Sequence, residues 1–341
     1  MPALYCGTYH MSGGGGLHPL FRHKDGTWSG GEPYADAEDA SFGTYSARHG
    51  IFYFVAEQAT GSVGAFRFTE SGWRKLLQAP TGGSEPCYVA ADASGRCLAV
   101  ANYGSGSVAL LQLDDDGLPT QPARILAHSG HGPIEDRQDG PHAHCACFSP
   151  DQRFLYHVDL GTDEILVYDF TPGTAVAGAR RVAYRAPPGS GPRHLAFHPQ
   201  AFRVLLVSEL ASTLTVLDRD DGQLVPREVR STLPEGYRGE SLGGHLTLNR
   251  AGDRAYVSNR GHDSIAVFAW DDDGALHLLQ HVPSGGASPR QFVLMEAERQ
   301  LIVVHEHSAN ITAFDVDDEG RLQPTATNLS IPGAAFLIAA P

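Results

Sequence analysis

The sequence predicts an all-β fold: a seven-bladed β-propeller with four antiparallel strands per blade, its ring closed by N- and C-terminal strands. Three observations carry this. A seventeen-residue segment recurs six times at a blade-sized period. Each copy reads as a strand, a polar break and a second strand. Both ends of the chain hold strand-like runs that make up one further blade.

The six segments begin at Phe52, Cys97, Phe154, Val204, Arg254 and Gln300, as in "CLAVANYGSGSVALLQL" and "RAYVSNRGHDSIAVFAW". Their sixth positions are Glu57, Asn102, Asp159, Glu209, Asn259 and His305, spaced by 45, 57, 50, 50 and 46 residues. A further strand ending in a turn precedes each segment, as in "HLAFHPQAFR". An acidic turn follows most of them, as in "LDDDGLP", "DRDDGQL", "WDDDGAL" and "VDDEGRL", and then a weaker outer strand. The seventh blade takes its inner strand from "IPGAAFLIAAP" and its middle strands from "ALYCGTYH" and "GLHPLFRHKDG". Joining the two termini in one blade removes open sheet edges.

Composition agrees. A chain of 341 residues, 42% hydrophobic, suits one large β domain over 1–341. No run approaches the ~18 apolar residues of a membrane span, and "MPALYCGTYH" lacks the basic and apolar regions of a secretory signal. Cys6, Cys87, Cys97, Cys145 and Cys147 are odd in number and lack framework spacing, so reduced core thiols in a cytoplasmic protein are expected. The net charge of −14 argues against nucleic acid or an anionic membrane as partner. A monomer or weak homo-oligomer is expected.

Function is read from the strand ends. If the strands of a blade are A to D from the axis outward, antiparallel pairing puts the start of A and the end of B on one face. Starts of A carry His142 and His144 in "GPHAHC", Arg193 and His194 in "GPRHL", His245 in "GGHL" and Arg290 in "SPRQF". Ends of B carry the sixth-position set, followed by Tyr103, Arg260 and Glu306. Both sets are expected to border one mouth of the central channel, where several Arg and His with Glu209 suit a small anionic ligand. The acidic turns fall on the opposite face. They lack the twelve-residue spacing and closing Glu of a calcium loop, so solvated hairpin turns are expected.

Other motifs carry less. "CAC" has no further Cys or His at zinc spacing, so Cys145 and Cys147 read as core. Gly13 to Gly16 has no helix pattern after it and reads as a flexible loop, not a phosphate cradle. No Gly-x-Ser-x-Gly elbow is present.

The stretches "GPHAHCACFSPDQRFLYHVDLGTDEILVYD", "GPRHLAFHP" with "SEL" after it, "NRGHDSIAVF" and "GASPRQFVL" resemble the seven-bladed lactonase family, which includes the propeller-type 6-phosphogluconolactonases and, more distantly, carboxy-cis,cis-muconate cyclase. The likeness covers nearly the whole chain and is strongest from Gly83 to Phe314. It implies a site of one His, two Arg and one Glu, matched here by His144, Arg193, Glu209 and Arg260, with His142 competing for the place of His144. Their strand-end places make His142, His194, His245, Arg290, Asn102, Tyr103 and Glu306 candidate substrate contacts, and the hydrolytic chemistry below calls for neither a metal nor a cofactor. The chain departs from the family pattern at His305 to His307, where Asn-Gln is more common, and at Ala56, where Asn is usual.

Lactone hydrolysis needs a positioned water, a base and donors for the tetrahedral oxyanion. His144 or Glu209 serves as base. Arginines around Glu209 keep it ionised and make it a weaker base, which favours His144 for proton transfer with Glu209 orienting it or the water. Arg193 and Arg260 supply oxyanion donors and grip a carboxylate or phosphate. Three readings follow: a hydrolase of a sugar-acid lactone, with 6-phosphogluconolactone leading by family; a cyclase acting on a muconate-type lactone; and a non-catalytic scaffold. Rim chemistry of Arg, His and Glu disfavours the last.

Overall fold

The computed structural model describes residues 2–120, 122–271 and 274–340. Among the described residues, twenty-eight strands form seven sheets of four, and the helical content is one short turn, His10–Ser12. In chain order the second strands of the sheets are Ile51–Ala56, Cys97–Asn102, Phe154–Asp159, Arg203–Ser208, Arg254–Arg260 and Gln300–His305. Ile51–Ala56 and Arg203–Ser208 begin one residue ahead of the repeated segment, which leaves Glu57 and Glu209 just past their strands, whereas the other four begin on its first residue. The third strands fall on its second half, as Ser62–Thr69 and Ser107–Gln112 show.

The seventh sheet joins the chain ends. Its order is Ala334–Ala339, Leu4–Thr8, His18–Arg22, Trp28–Gly30, with Leu4 opposite Ala339 and Cys6 opposite Leu337. The expected inner and middle strands are these, and the sequence reading lacked only the short outer strand at Trp28.

The chain divides into two compact units, one of Met1–Pro33, His194–Asp220 and Val225–Ala340, the other of Tyr34–Arg193 and Asp221–Leu224. In the first, Leu4, Cys6, Leu20 and Trp28 pack with Ile302, Val304, Ile311 and Leu337. A second cluster there joins Leu205, Val207, Leu246, Val257 and Phe268. In the other unit, Ile51, Tyr53 and Val55 pack with Val100, Ala109 and Leu111. Alternation along each strand gives these residues a shared face, and their burial supplies the main stabilising term.

Hydrogen-bonded turns absorb much of the acid. Asp114 Oδ1 accepts the backbone N–H groups of Asp116 and Leu118, and Asp317 Oδ1 accepts those of Glu319 and Arg321. These are hairpin turns closed by their first carboxylate. Asp272 and Asp273 of "WDDDGAL" lie outside the described residues. The Gly13 to Gly16 loop differs from its expectation of looseness. Buried Thr8 ties it down, its Oγ1 donating to Gly16 O at 2.7 Å and accepting from Gly16 N at 3.0 Å. A Cβ on Gly14 would lie 2.4 Å from Thr8 Oγ1, which explains glycine there.

The sixth positions show a common device. Asn102, Asp159, Asn259 and His305 are each 0% exposed. Asn102 Nδ2 donates to Ser107 Oγ, Asn259 Nδ2 to Ser264 Oγ, and His305 Nδ1 to the Asn310 carbonyl, each across the turn to the residue paired opposite. Asn102 was expected to touch substrate. Its amide instead turns inward and closes its own turn, because the hydroxyl of Ser107 lies opposite it.

His305 occupies this role poorly. Its Nε2, like Asn102 Oδ1, is buried without a hydrogen-bond partner, and burial holds its pKa below the ordinary 6.5. The unfolded chain then binds the proton more tightly than the native one, so stability is complete above pH 6.5 and falls as pH drops below it. His305→Asn restores the residue used at 102 and 259. It is expected to raise unfolding free energy by about 1 kcal/mol at pH 7 and by more at pH 5, read from urea midpoints at the two pH values. An equal or lower midpoint at pH 5 would refute this account of the turn.

Candidate functional site

In the unit that contains both termini, Glu209 follows the strand Arg203–Ser208 and Arg260 ends the strand Arg254–Arg260. Their side chains meet, Arg260 Nη2 lying 2.5 Å from Glu209 Oε2, with 12% and 3% side-chain exposure. Arg260 Nη2 also donates to the Gly243 carbonyl at 3.1 Å, while the Gly243 N–H donates to the Glu209 carbonyl at 2.8 Å. Gly243 is placed by its pairing with Asn259. A Cβ there would lie 2.7 Å from the Ser208 carbonyl, so only glycine lets this strand start pass so close.

Two further pairs share this unit. His194 Nδ1 and His245 Nδ1 are 3.3 Å apart, so one donates its proton and the other accepts it. The His245 ring meets Phe292 edge to face at 5.0 Å. Arg290 Nη1 lies 3.4 Å from Glu306 Oε2, and its guanidinium sits 5.1 Å from the centre of the Tyr9 ring.

The other unit holds a second cluster. Tyr103 stacks on His142 with centroids 4.6 Å apart and meets His144 edge to face at 5.6 Å. His142 Nδ1 faces the Tyr103 carbonyl at 3.1 Å and its Nε2 faces Asp139 Oδ1 at 3.1 Å. Both bonds form together only on the doubly protonated ring. His144 is buried, with Nδ1 3.8 Å from Cys87 Sγ. Arg193, also buried, is the second residue of the strand Pro192–Phe197. All five cysteines are unbridged and buried, and burial pushes the Cys6 thiol up to about 12.

The structure thus brings together Glu209 with Arg260, His194 with His245, Arg290 with Glu306, and Tyr103 with His142 and His144. It turns Asn102 away. Sequence reasoning missed Tyr9, although "GTYH" places it where Tyr103 stands in "VANYG". It also missed Asp163 and Asp263, which occupy one repeat position in "GTDE" and "GHDS". Both have positive φ, 56° and 54°, a region Asp tolerates in turns. Asp163 accepts the N–H groups of Gly189 and Gly191, just ahead of Arg193, and Asp263 Oδ1 accepts the Ser288 N–H, just ahead of Arg290. Each carboxylate holds the loop that delivers an arginine. Arg137 and Asp139, around Tyr103 and His142, come from a loop with no repeat signal.

Comparison with known proteins agrees in kind. The family described as "Lactonase, 7-bladed beta-propeller" matches residues 3–338. A Bacillus subtilis protein named 6-phosphogluconolactonase is 31% identical over 96% of this chain and 95% of its own. A protein of that name from Formosa agariphila is 30% identical over 88% of each. The solved structure of a Pseudomonas aeruginosa periplasmic gluconolactonase superposes with a TM-score of 0.92 at 27% identity, covering 99% of both chains.

The two Arg–Glu pairs differ in burial and should differ in energetics. Arg260→Ala strands a buried carboxylate and is expected to cost about 3–5 kcal/mol of stability. Arg290→Ala breaks a longer, more exposed contact and is expected to cost about 1 kcal/mol. Urea unfolding of both variants checks this; equal losses would show that the Glu209–Arg260 pair is not the buried anchor described.

Proposed function

Because the chain belongs to the seven-bladed β-propeller lactonase family, and relatives in it are named 6-phosphogluconolactonase, we propose that it opens a sugar-acid lactone, foremost 6-phosphogluconolactone to 6-phosphogluconate. The observation that carries this reading is the buried Glu209–Arg260 pair. A carboxylate held by a guanidinium stays ionised and fixed, fit to orient a water or an imidazole. The guanidinium keeps further N–H donors for an anion.

The chemistry proceeds in two steps. Water oxygen attacks the lactone carbonyl carbon while an imidazole takes its proton, and the carbonyl oxygen becomes an oxyanion stabilised by arginine donors. The tetrahedral species then collapses, the ring C–O bond breaks, and the imidazolium returns the proton to the departing alkoxide, leaving a hydroxy acid. His144 is the proposed proton-transfer group, since both nitrogens of His142 already face acceptors. Arg193 and Arg260 are the proposed clamps for oxyanion and substrate anion, with Arg290, His194, His245, Tyr103 and Glu306 as further binding groups. The scheme routes no step through a cofactor. A cytoplasmic setting is proposed with it; among the described residues no helix is long and apolar enough to cross a membrane.

A continuous assay over a panel of lactones, corrected for spontaneous opening, tests the reading. Phosphorylated or free gluconolactone should open faster than background and muconolactones should not; the reverse selectivity would establish the cyclase reading instead. With the preferred lactone, Arg193→Ala or Arg260→Ala should raise KM by about ten- to a hundredfold. His144→Ala or Glu209→Gln should lower kcat by roughly 10² to 10⁴. Full kcat in both of the last two folded variants would remove His144 and Glu209 from the mechanism.

A further inference from the structure

Away from the clusters above, His128, His157 and Asp159 bring one donor atom each within 4.8 Å of one another. All three belong to one unit. His157 and Asp159 stand two apart on the strand Phe154–Asp159 and so project to the same face. His128 follows the strand Arg124–Ala127. Their side chains are sealed from solvent, 1% exposed for His128 and 0% for the other two.

Hydrogen bonding accounts for only part of this arrangement, His128 Nε2 lying at 3.5 Å from Thr162 Oγ1. Asp159 Oδ2 lies 3.5 Å from His128 Nε2 and 3.5 Å from His157 Nε2, and it makes no hydrogen bond. A charge-assisted N–H···O bond would close to about 2.7–2.9 Å. Both ring nitrogens of His157 and Nδ1 of His128 are likewise buried without partners. Buried polar atoms almost always find a partner, and a group of them aimed at one spot asks for a shared one.

We propose that His128, His157 and Asp159 form a structural site for a transition-metal dication, Zn²⁺ foremost. Bonds of about 2.0–2.2 Å from a tetrahedral centre put neighbouring donor atoms about 3.4 Å apart, which matches both 3.5 Å separations. Two imidazoles and one carboxylate favour Zn²⁺, Co²⁺ or Ni²⁺ over Mg²⁺ and Ca²⁺, which prefer oxygen. The sealed setting excludes a substrate, so the role is structural.

The other carboxylate oxygen shows what the metal would stabilise. Asp159 Oδ1 accepts the N–H of His142 at 3.1 Å, the N–H of Thr162 at 2.9 Å and the hydroxyl of Thr162 at 3.0 Å. Metal on Oδ2 would fix the carboxylate that anchors the start of the His142–His144 segment. The inference stands independently of the lactonase reading, and its test does not use activity.

The full chain without an affinity tag is stripped with a chelator and titrated with Co²⁺, Zn²⁺ and Mg²⁺. One Co²⁺ per chain, with visible d–d absorption, and a melting temperature that rises with Zn²⁺ but not with Mg²⁺ are expected. His157→Val and His128→Gln should each abolish the absorption and the Zn²⁺-dependent rise while melting cooperatively. Having two variants covers the case in which one fails to fold. No stoichiometric Co²⁺ uptake by the parent chain would overturn the site. So would undiminished uptake by the folded variants, which would place the ion on exposed histidines.

Discussion

Antiparallel register is the constraint on which the rest depends. In each sheet the start of the innermost strand lies beside the end of the second, as with Pro86 opposite Asn102, Ala143 opposite Asp159, Leu242 opposite Arg260 and Pro289 opposite His305. Residues inside the strands are committed to the core by alternation. Residues at these paired ends are not, and they carry the Arg, His, Glu and Tyr of the candidate site. Several registers slip at this end, between Ala143 and Cys145, Gly243 and Leu246, and Pro289 and Gln291. Such bulges re-aim side chains where the regular pleat would bury them or turn them away.

The Glu209–Arg260 pair shows what this position costs. Two charges taken out of water recover their hydration only through tight geometry and further hydrogen bonds. Here the recovery comes from the 2.5 Å contact and the Gly243 carbonyl, yet Arg260 Nε remains buried without a partner. An apolar pair would serve the fold as well. Ions kept at such a cost fit a binding role better than a packing one, which is the stability concession common at functional sites.

Much of this was legible in the residues. The repeat set the strand positions, the terminal runs gave the composite sheet, and Glu209, Arg260, His194, His245, Arg290 and Glu306 were all named from their places at strand ends. The direction of a side chain at a strand end was not legible. Asn102 and Glu209 share the sixth place of the ungapped segments, but Ser208 is the residue that pairs across its turn with Thr213 as Asn102 does with Ser107, so Glu209 stands one residue beyond its strand and reaches Arg260. Asp163 and Asp263 escaped notice because a turn Asp looks solvated until its backbone partners are seen. The grouping of Asp159 with His128 and His157 escaped because they come together from segments about thirty residues apart, with no ligand spacing to flag them.

The central claim is that the strand-end residues around Glu209 and Arg260 receive an anionic sugar acid. A crystal structure of the protein soaked with 6-phosphogluconate, and a second with gluconate, measures this most directly. The account predicts ordered density with an acid oxygen within hydrogen-bond distance of the Arg260 guanidinium in at least one of them. Well-occupied density elsewhere, for example at the Asp114 or Asp317 turns, with the Glu209–Arg260 pair untouched, would contradict it.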